Sequence, residues 1–411
     1  MTSASEPAAV WYRIYFTRRI LGAFFTGFYG GLPLLLTGSV LQAWLKQEGV
    51  DLATIGLYAL VGLPYTLKFL WAPVFDRYRI RHYGRRRGWL ILTQAALALA
   101  LALLAFSQPA LHPILLAGLA LLVTFFSASQ DTLIDAWRRE SLSDYEQGLG
   151  ASFYVNGYRL GMLLASGGGL ILADLWGFTF VYLLMAAVML SGAMVSLILP
   201  EPEEAGHRPK RFAAAVIQPF IQFFERQDAW WILLFILLYK MGDTIAGQMS
   251  TPFYLDMGYS KTEIGAIVKL FGFWATLIGG FVGGTLILRV GIYRALWQFG
   301  ILQAFSTAAF AALTQIPPQL PALGAVICFE NLSAGMGTAA FVGFMASQTD
   351  RRFTATQYAL LSSLMGVPRV LIAAPSGWMA SSLGWWWFFL GCSLLAIPGL
   401  LLLIRFRNWL R

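Results

Sequence analysis

Residues 114–126, ILLAGLALLVTFF, run without a break into residues 127–140, SASQDTLIDAWRRE. The first part is apolar, and the second, which reads as the second half of the same membrane-spanning helix, adds Gln130, Asp131 and Asp135. Asp131 and Asp135 are four residues apart, so a helix places them on one face. A carboxylate inside a bilayer costs roughly 2.5–3.5 kcal/mol on insertion scales. The stretch therefore predicts a membrane helix that lines a path for a polar solute and for protons.

The composition of the 411-residue chain is that of a membrane protein with many spans. Hydrophobic residues make up 58% and charged residues 12%, whereas soluble proteins have about 25% charged residues. A span needs ~20 apolar residues. About twelve such runs occur, at residues 20–44, 54–75, 88–107, 113–136, 148–173, 177–199, 230–254, 263–288, 295–315, 321–347, 355–381 and 384–404. The predicted fold is an all-α membrane protein with 12 transmembrane helices.

Basic residues predict the orientation of these helices. With a cytoplasmic N-terminus, 22 of the 29 Lys and Arg residues fall in cytoplasmic segments, and only Lys46 and Lys261 lie opposite. We therefore expect both termini in the cytoplasm. The net charge of +9 is assigned to topology, and no nucleic-acid partner is expected. Residues 20–44 are too long for the apolar core of a signal peptide, so an uncleaved first span is expected.

Three matches at a nearly constant offset predict two related halves. Residues 54–56 and 263–265 both end in Ile-Gly and are 209 apart, and the pairs Gln147/Gln357 and Arg159/Arg369 are 210 apart. Such six-plus-six repeats are typical of secondary transporters. The predicted domains are an N-terminal six-helix bundle, a cytoplasmic linker with an amphipathic surface helix, and a C-terminal six-helix bundle, at residues 1–200, 201–228 and 229–411.

A basic loop follows the second predicted span. It reads Phe75-Asp76-Arg77-Tyr78 and then Gly84-Arg85-Arg86-Arg87, which resembles the loop signature of the major facilitator superfamily. Asp76 can hold a helix end or an arginine and so stabilise one face of an alternating gate. The alternative role of this loop is that of a topology anchor.

Longer stretches also resemble one branch of that superfamily. They include GLPLLLTGSVLQAWL (31–45), IGLYALVGLPYTLKFLWAP (55–73), FFSASQDTLIDAW (125–137), GYRLGMLLASGG (157–168) and FENLSAGMGTAAFV (329–342). The chain resembles the muropeptide permeases of the peptide/acetyl-coenzyme A transporter branch throughout most of its length.

This resemblance implies a proton-driven importer of the bacterial inner membrane. The implied substrate is N-acetylglucosaminyl-1,6-anhydro-N-acetylmuramic acid, with or without a peptide, taken up for cell-wall recycling that also feeds β-lactamase induction. No cofactor beyond the proton gradient is expected, and the resemblance implies a monomer in the lipid bilayer.

A site for such a substrate needs cations, amides and aromatic faces. The candidate substrate-binding residues within the predicted spans are Trp44, Tyr65, Lys68, Gln130, Asn156, Arg159, Lys240, Lys269, Gln357 and Arg369. An intramembrane charge indicates function by default, with internal ion pairs as the alternative. For the aromatic residues, packing or contact with lipid is the alternative.

Four carboxyl groups are candidate proton carriers, namely Asp131, Asp135, Asp243 and Glu330. Asp131 is favoured because it lies deepest in its span. Asp135 is nearer the cytoplasm, where Arg138 or Arg139 is an alternative partner. Asp243 follows Lys240 by three residues, so the two can pair locally. For Glu330 the alternative is a structural role.

Other function classes fit less well. A carrier of another anionic solute, such as acyl-coenzyme A, a sugar phosphate or a lipid head group, remains an alternative because intramembrane cations suit any anion. An enzyme acting on lipid-linked sugars would need an acid–base pair or a metal cluster. No histidine lies in a predicted span and the carboxylates are scattered, so neither an enzyme nor a metal site is expected. Glycines four residues apart, as in Gly27/Gly31 and Gly157/Gly161, predict close helix packing.

Overall fold

The computed structural model describes residues 14–50, 58–203, 212–259, 263–365 and 376–406, most of which are helical. The helices before the linker are α1 (Arg18–Leu35), α2 (Leu41–Gln47), α3 (Leu63–Leu67), α4 (Ala72–Arg77), α5 (Arg86–Ala105), α6 (Pro113–Ser141), α7 (Gln147–Leu163) and α8 (Gly169–Ile198). The others are α9 (Phe212–Phe224), α10 (Ala229–Tyr239), α11 (Met241–Asp256), α12 (Gly272–Val290), α13 (Ile292–Leu313), α14 (Leu320–Ser347), α15 (Thr354–Leu364), α16 (Ser376–Leu394) and α17 (Ala396–Arg405). The all-α prediction is confirmed.

Several spans are interrupted by short segments of a different helix type. Leu36–Val40, Leu164–Gly168 and Ile264–Phe271 are π-helical, and Lys68–Leu70 is 3₁₀-helical. Such segments disturb the regular backbone hydrogen bonds and are frequent at functional sites. In the first of them, the buried Tyr182 hydroxyl donates to the Leu36 carbonyl at 2.7 Å. The interruption is therefore held in place by a side chain from α8.

Nine helical segments among the described residues are long and apolar enough to cross a bilayer. One of them, Gln147–Ile198, has 52 residues, more than twice the ~20 that a span needs, and its backbone is bent at Gly177. Another, Ser376–Arg405, contains a second bend at Gly384. The predicted second span is described only from Tyr58 onward. A multi-pass architecture is thus established, and the count of twelve stays a prediction.

The described residues form two compact units. Unit 1 comprises the chain up to Ala215 together with Asp350–Thr356, and unit 2 comprises Val216–Thr349 and the chain from Gln357 onward. The change from one unit to the other at Ala215 falls inside the predicted linker.

Glycines bring helices α1 and α7 of unit 1 into backbone contact. A Cβ atom at Gly27 or Gly31 would lie 2.1 or 2.0 Å from the carbonyl oxygen of Tyr154 or Tyr158. In the opposite direction, Cβ atoms at Gly157 and Gly161 would meet carbonyl oxygens of α1 at 2.0 and 2.1 Å. Only glycine permits this approach, so the predicted packing role of these glycines is confirmed.

Unit 2 contains a similar crossing between α12 and α14. A Cβ atom at Gly279 would lie 2.3 Å from the Leu332 carbonyl oxygen, and one at Gly335 would lie 2.3 Å from the Thr276 carbonyl oxygen. These contacts fix α14, which carries Glu330, against its neighbour.

The backbone turns of the chain repeat at a nearly constant interval. Within the described residues, positive φ angles occur only at glycines, which form three pairs: Gly49 (76°) with Gly258 (91°), Gly84 (90°) with Gly291 (80°), and Gly177 (82°) with Gly384 (73°). The partners are 209, 207 and 207 residues apart. The two members of each pair lie at matching places in the order of the helices, between helices or at a bend, which supports the predicted repeat.

Hydrogen bonds at these positions repeat as well. After the first spans of the two halves, Val50 N–H donates to the Leu45 carbonyl at 3.0 Å, and Tyr259 N–H donates to the Tyr254 carbonyl at 3.1 Å. This bond across five residues closes a helix that ends two residues before a left-handed glycine. The same helix end is therefore built twice, 209 residues apart.

Candidate functional site

A buried polar cluster lies in unit 1 where α6 passes the interrupted second span. Gln130 is fully buried and Asp131 is 6% exposed. Lys68, at the start of the 3₁₀ segment, is also buried, and its charge acts on both Asp131 and Asp135. The Tyr65 hydroxyl donates to Ser127 Oγ at 2.8 Å. The structure thus brings Tyr65 and Lys68 together with the two aspartates as one membrane-embedded group, and the buried Gln130 precedes Asp131 on the same helix.

Gly30 packs closely against Asp131. A Cβ atom at Gly30 would lie 3.2 Å from Asp131 Oδ1 and 3.4 Å from the ring of Tyr158, so a larger residue would crowd the carboxylate. Among the described residues, Asp131 Oδ1 and both polar side-chain atoms of Gln130 have no hydrogen-bond partner. A buried polar atom left unpaired costs about 1–3 kcal/mol. A bound solute, a water molecule or a proton would lower this cost, which marks the pair as a candidate ligand site.

Asp135 is situated differently although it shares a helix face with Asp131. Its Oδ1 atom lies 3.5 Å from Arg138 Nη2, three residues further along α6. The Arg138 guanidinium also lies over the ring of Tyr154, 5.3 Å from its centroid. The predicted pairing of Asp135 with a neighbouring arginine is confirmed for Arg138, whereas Arg139 pairs with Asp144 at 2.7 Å.

Three other predicted residues of unit 1 have separate environments. Asn156 is fully buried and Arg159 half-buried on α7, the helix that carries Tyr158. Trp44 is 4% exposed and stacks on Phe178 with ring centroids 5.8 Å apart. The contact gives Trp44 a packing role in the core of unit 1. Binding of substrate by these residues stays a prediction.

A second polar cluster lies in unit 2, at the junction between α10 and α11. Lys240 Nζ lies 3.3 Å from Asp243 Oδ2 and 3.1 Å from Gln303 Oε1. The Asp243 and Glu330 carboxyls are neighbours that interact with each other, and Ser306 Oγ bonds Glu330 Oε2. The local pairing of Lys240 with Asp243 is confirmed. Gln303 and Ser306 were missed, although both are polar residues inside the apolar run 295–315.

The remaining predicted residues are Gln357, Lys269 and Arg369. Gln357 is 1% exposed, and its amide nitrogen donates to the Pro219 carbonyl at 3.1 Å. Gln147 likewise donates to backbone, at 3.1 Å from the carbonyls of Arg139 and Leu142. The side chain of Lys269 and the whole of Arg369 lie outside the described residues. Their predicted contact with substrate remains untested.

A network of buried charges in unit 1 surrounds Asp76. Arg86 is fully buried, and its Nη2 atom lies 2.7 Å from Asp76 Oδ1. Arg86 also binds Glu140, which pairs with Arg85 at 3.0 Å. Two arginines and two carboxylates therefore balance one another, as burial of charge requires.

Asp76 also binds the start of α15. Its carboxylate accepts hydrogen bonds from Ala355 N–H at 3.1 Å, Thr356 N–H at 2.9 Å and the Thr356 hydroxyl at 2.7 Å. The first N–H groups of a helix have no partner within it and carry a partial positive charge. The sequence predicted either an arginine or a helix end as the partner of Asp76, and the structure contains both.

Glu201 completes the basic loop. Its carboxylate accepts from the backbone N–H groups of Arg85, Arg86 and Arg87 at 2.6, 2.8 and 2.9 Å and so caps α5. A Cβ atom at Gly84 would lie 2.5 Å from the Glu201 carboxyl carbon. Arg77 is half-buried at the end of α4 and lies over the Tyr78 ring. Neither Glu140 nor Glu201 was predicted, and their only signal was an acidic residue among basic loops.

The family model, the similar sequences and the similar structures agree on the family and the fold of this chain. The family model described as Major Facilitator Superfamily matches residues 20–373. The anhydromuropeptide permease of Escherichia coli K12 is 44% identical over 386 residues, covering 93% of this chain and 79% of that protein. The putative transporter AmpG 4 of Rickettsia conorii is 34% identical over 402 residues, covering 95% and 97% of the two chains. The solved structure of the superfamily transporter FucP in its outward conformation aligns with a TM-score of 0.73 at 13% identity, covering 96% and 99%.

Proposed function

Because the chain belongs to the major facilitator superfamily, we propose that it imports anhydromuropeptides into the cytoplasm. It is a multi-pass protein of the bacterial inner membrane and a secondary transporter rather than an enzyme. Its substrate class is proposed as the disaccharide N-acetylglucosaminyl-1,6-anhydro-N-acetylmuramic acid, with or without a peptide. We expect the protein to act as a monomer.

One observation carries this proposal: the 44% identity to the E. coli anhydromuropeptide permease extends over 93% of the chain. The chemistry of the two polar clusters is compatible with it. The substrate has hydroxyls, amides and at least one carboxylate, and the clusters offer lysines, carboxyls and the unpaired amide of Gln130. A hydrogen-bonding group that lacks a protein partner is well suited to a solute that brings its own donors and acceptors.

We further propose that transport is coupled to protons, with Asp131, Asp135, Asp243 and Glu330 as the candidate groups. Their position within apolar helices supports this role, because an ionisable residue inside a membrane usually belongs to a pathway or a proton relay. Asp131 has an unpaired oxygen and a nearby lysine, whereas Asp135 has an arginine partner. Asp131 is therefore the first of the unit 1 carboxyls to test.

The network around Asp76 is proposed as a gate at the cytoplasmic side. The bonds from Asp76 to Arg86 and to Ala355 and Thr356 support this role, because residues from distant parts of the chain meet at one carboxylate. Arg77, Arg85 and Arg87 complete the gating loop. In alternating access such contacts form and break as one side closes and opens.

Uptake of labelled anhydro-disaccharide-peptide into proteoliposomes tests the function. With an inward proton gradient, the wild type is expected to concentrate the label, and Asp131→Asn is expected to lose at least about nine-tenths of the initial rate, a change worth about 1.4 kcal/mol. Asp174→Asn is the matched control, since Asp174 is an exposed carboxylate on α8. A wild type that moves no label under any gradient would contradict the proposed substrate. Equal rates for Asp131→Asn and Asp174→Asn would remove Asp131 from the site.

A further inference from the structure

The Asp243 and Glu330 carboxyls in unit 2 are neighbours on two different helices. Asp243 lies on α11 and Glu330 on α14, and each carboxyl interacts with the other and with Lys240. Like charges so close disfavour each other's ionisation. A partly buried cluster of one lysine and two carboxyls is neutral only when one carboxyl holds a proton. The charges of the cluster therefore favour one proton on this pair.

The neighbouring groups set the charge of the cluster. Lys240 is its cation, bound to Asp243 at 3.3 Å and to Gln303 at 3.1 Å. The neutral hydroxyls are Ser306, bonded to Glu330, and Tyr254, which interacts electrostatically with it. The Cys392 thiol borders the small cavity beside Asp243. With one shared proton, Lys240, Asp243 and Glu330 together carry no net charge, as a partly buried cluster favours.

The cluster is also accessible and lies at a helix break. The side chains of Lys240 and Asp243 are 13% and 27% exposed. Helix α10 ends at Tyr239 and α11 begins at Met241, so Asp243 is in the first turn of a new helix. A helix start favours a negative charge. In transporters, substrate and coupling ions bind near the middle of the membrane where helices are discontinuous.

We propose that this cluster takes up one proton together with one carboxylate of the substrate. At rest, Lys240 pairs with ionised Asp243, and Glu330 holds the shared proton. A substrate carboxylate that binds Lys240 displaces Asp243, which then accepts a second proton from the medium. The cluster is neutral before and after, because one negative charge and one positive charge have entered. On release, Asp243 loses that proton and pairs with Lys240 again. This inference rests on the proposed transport of an anionic muropeptide.

Proton uptake on binding tests the inference without any variant. The probe is peptide-free N-acetylglucosaminyl-1,6-anhydro-N-acetylmuramic acid, which has one carboxylate, and the control is its carboxamide. Added to the purified protein in weak buffer with a pH indicator, the acid is expected to cause uptake of about one proton per molecule bound. The carboxamide is expected to bind at least about tenfold more weakly and to cause no uptake. Binding of the acid without proton uptake would overturn the inference and leave the proposed function intact. Failure of the wild type to bind either compound would contradict both.

A double variant locates the proton. Asp243→Asn combined with Glu330→Gln leaves Lys240 as a permanent cation with no group to protonate. It is expected to exchange labelled for unlabelled acid across the membrane, but to bind it without proton uptake and to lose accumulation driven by the gradient. Asp174→Asn in unit 1 is the comparison, since Asp174 is exposed, and it is expected to retain proton uptake when the acid binds. Continued proton uptake by the double variant would overturn the assignment.

Ser306→Ala provides a second variant, in case the double variant does not fold. It removes a neutral hydrogen-bond partner of Glu330 and changes no formal charge. The pH at which binding-linked proton uptake is half-maximal is expected to shift by about half a unit or more, since hydrogen bonds to a carboxyl change its protonation. The control is Ser381→Ala, an exposed serine on α16. An unchanged pH midpoint for Ser306→Ala would contradict Glu330 as part of the proton site.

Discussion

At the scale of single residues, Asp76 illustrates how a carboxylate is kept buried. It is 4% exposed and is bound by one guanidinium, two backbone N–H groups and one hydroxyl. These donors satisfy the oxygens of the buried carboxylate. The partner arginine is itself fully buried and depends on Asp76 and Glu140 for its charge balance.

Replacement of Asp76 by asparagine should therefore destabilise the protein. The change leaves Arg86 and Arg85 with only Glu140, and breaking a buried ion pair by removing one partner costs about 3–5 kcal/mol. Because asparagine can still accept a hydrogen bond, we expect the lower end, about 3 kcal/mol, in the free energy of unfolding measured in detergent. Asp144→Asn is the control, since Asp144 is 77% exposed and exposed pairs contribute at most about 1 kcal/mol. Equal stabilities of the two variants would refute the importance of the buried network.

The residue scale also shows where sequence reasoning stops. Lys240 with Asp243 and Asp135 with Arg138 were predictable because residues three apart meet on a helix. Gln303 and Glu330 belong to other helices, and spacing within one helix carries no information about which helices are neighbours. The same limit applies to Asp76, whose partners at 355 and 356 are about 280 residues away along the chain.

At the scale of helices, the crossing of α1 and α7 depends on glycines, which have no side chain. Four glycines let backbone meet backbone, so the helices approach more closely than larger residues allow. The sequence predicted this packing from the four-residue spacing of the glycines. It could not predict that Gly27 and Gly31 face the helix of Gly157 and Gly161.

A methyl group at Gly31 should force these helices apart. The new Cβ atom would lie 2.0 Å from the Tyr158 carbonyl oxygen, which is backbone and cannot move alone. Overpacking of this kind costs typically 1–3 kcal/mol, so Gly31→Ala is expected to lower the unfolding free energy by about that amount. Gly118→Ala is the control, because no atom lies within 4 Å of the new methyl group. There, alanine is expected to be neutral or to stabilise α6 by about 0.5–1 kcal/mol. A tolerated Gly31→Ala would mean that α1 and α7 are not held at this distance.

At the scale of the whole molecule, apolar runs predicted the membrane helices that the described residues contain, and the orientation derived from the basic loops stays a prediction. Hydropathy succeeds here because every backbone polar group in a bilayer must be paired within a helix. The π-helical and 3₁₀ interruptions were not predicted, because their hydrogen bonds depend on neighbouring helices, as between Tyr182 and Leu36. The inclusion of Asp350–Thr356 in unit 1 likewise depends on tertiary contacts.

The predicted orientation can be tested by chemical labelling. Gln108 and Ser143 are exposed residues that lie on either side of α6, so a membrane-spanning α6 places them on opposite faces. In a chain with Cys328→Ser and Cys392→Ser, Gln108→Cys is expected to react with an impermeant maleimide on intact spheroplasts. Ser143→Cys is expected to react only after lysis, because the positive-inside rule puts Arg138 and Arg139 in the cytoplasm. The reverse pattern would invert the topology.

The three pairs of left-handed glycines have a consequence for the history of the chain. The turns recur at intervals of 207 to 209 residues. The charged residues of the unit 2 cluster do not recur at this interval. The positions 209 residues before Lys240, Asp243 and Glu330 hold the uncharged residues Gly31, Leu34 and Leu121. A gene duplication that doubled a six-helix ancestor explains the recurring glycine turns, because losing such a glycine strains either copy. The lack of matching charges in unit 1 follows if the two copies diverged in their chemistry afterwards. By this account the architecture of the protein is older than its lysine–carboxyl cluster, and the descendants of one ancestral bundle have come to perform different tasks.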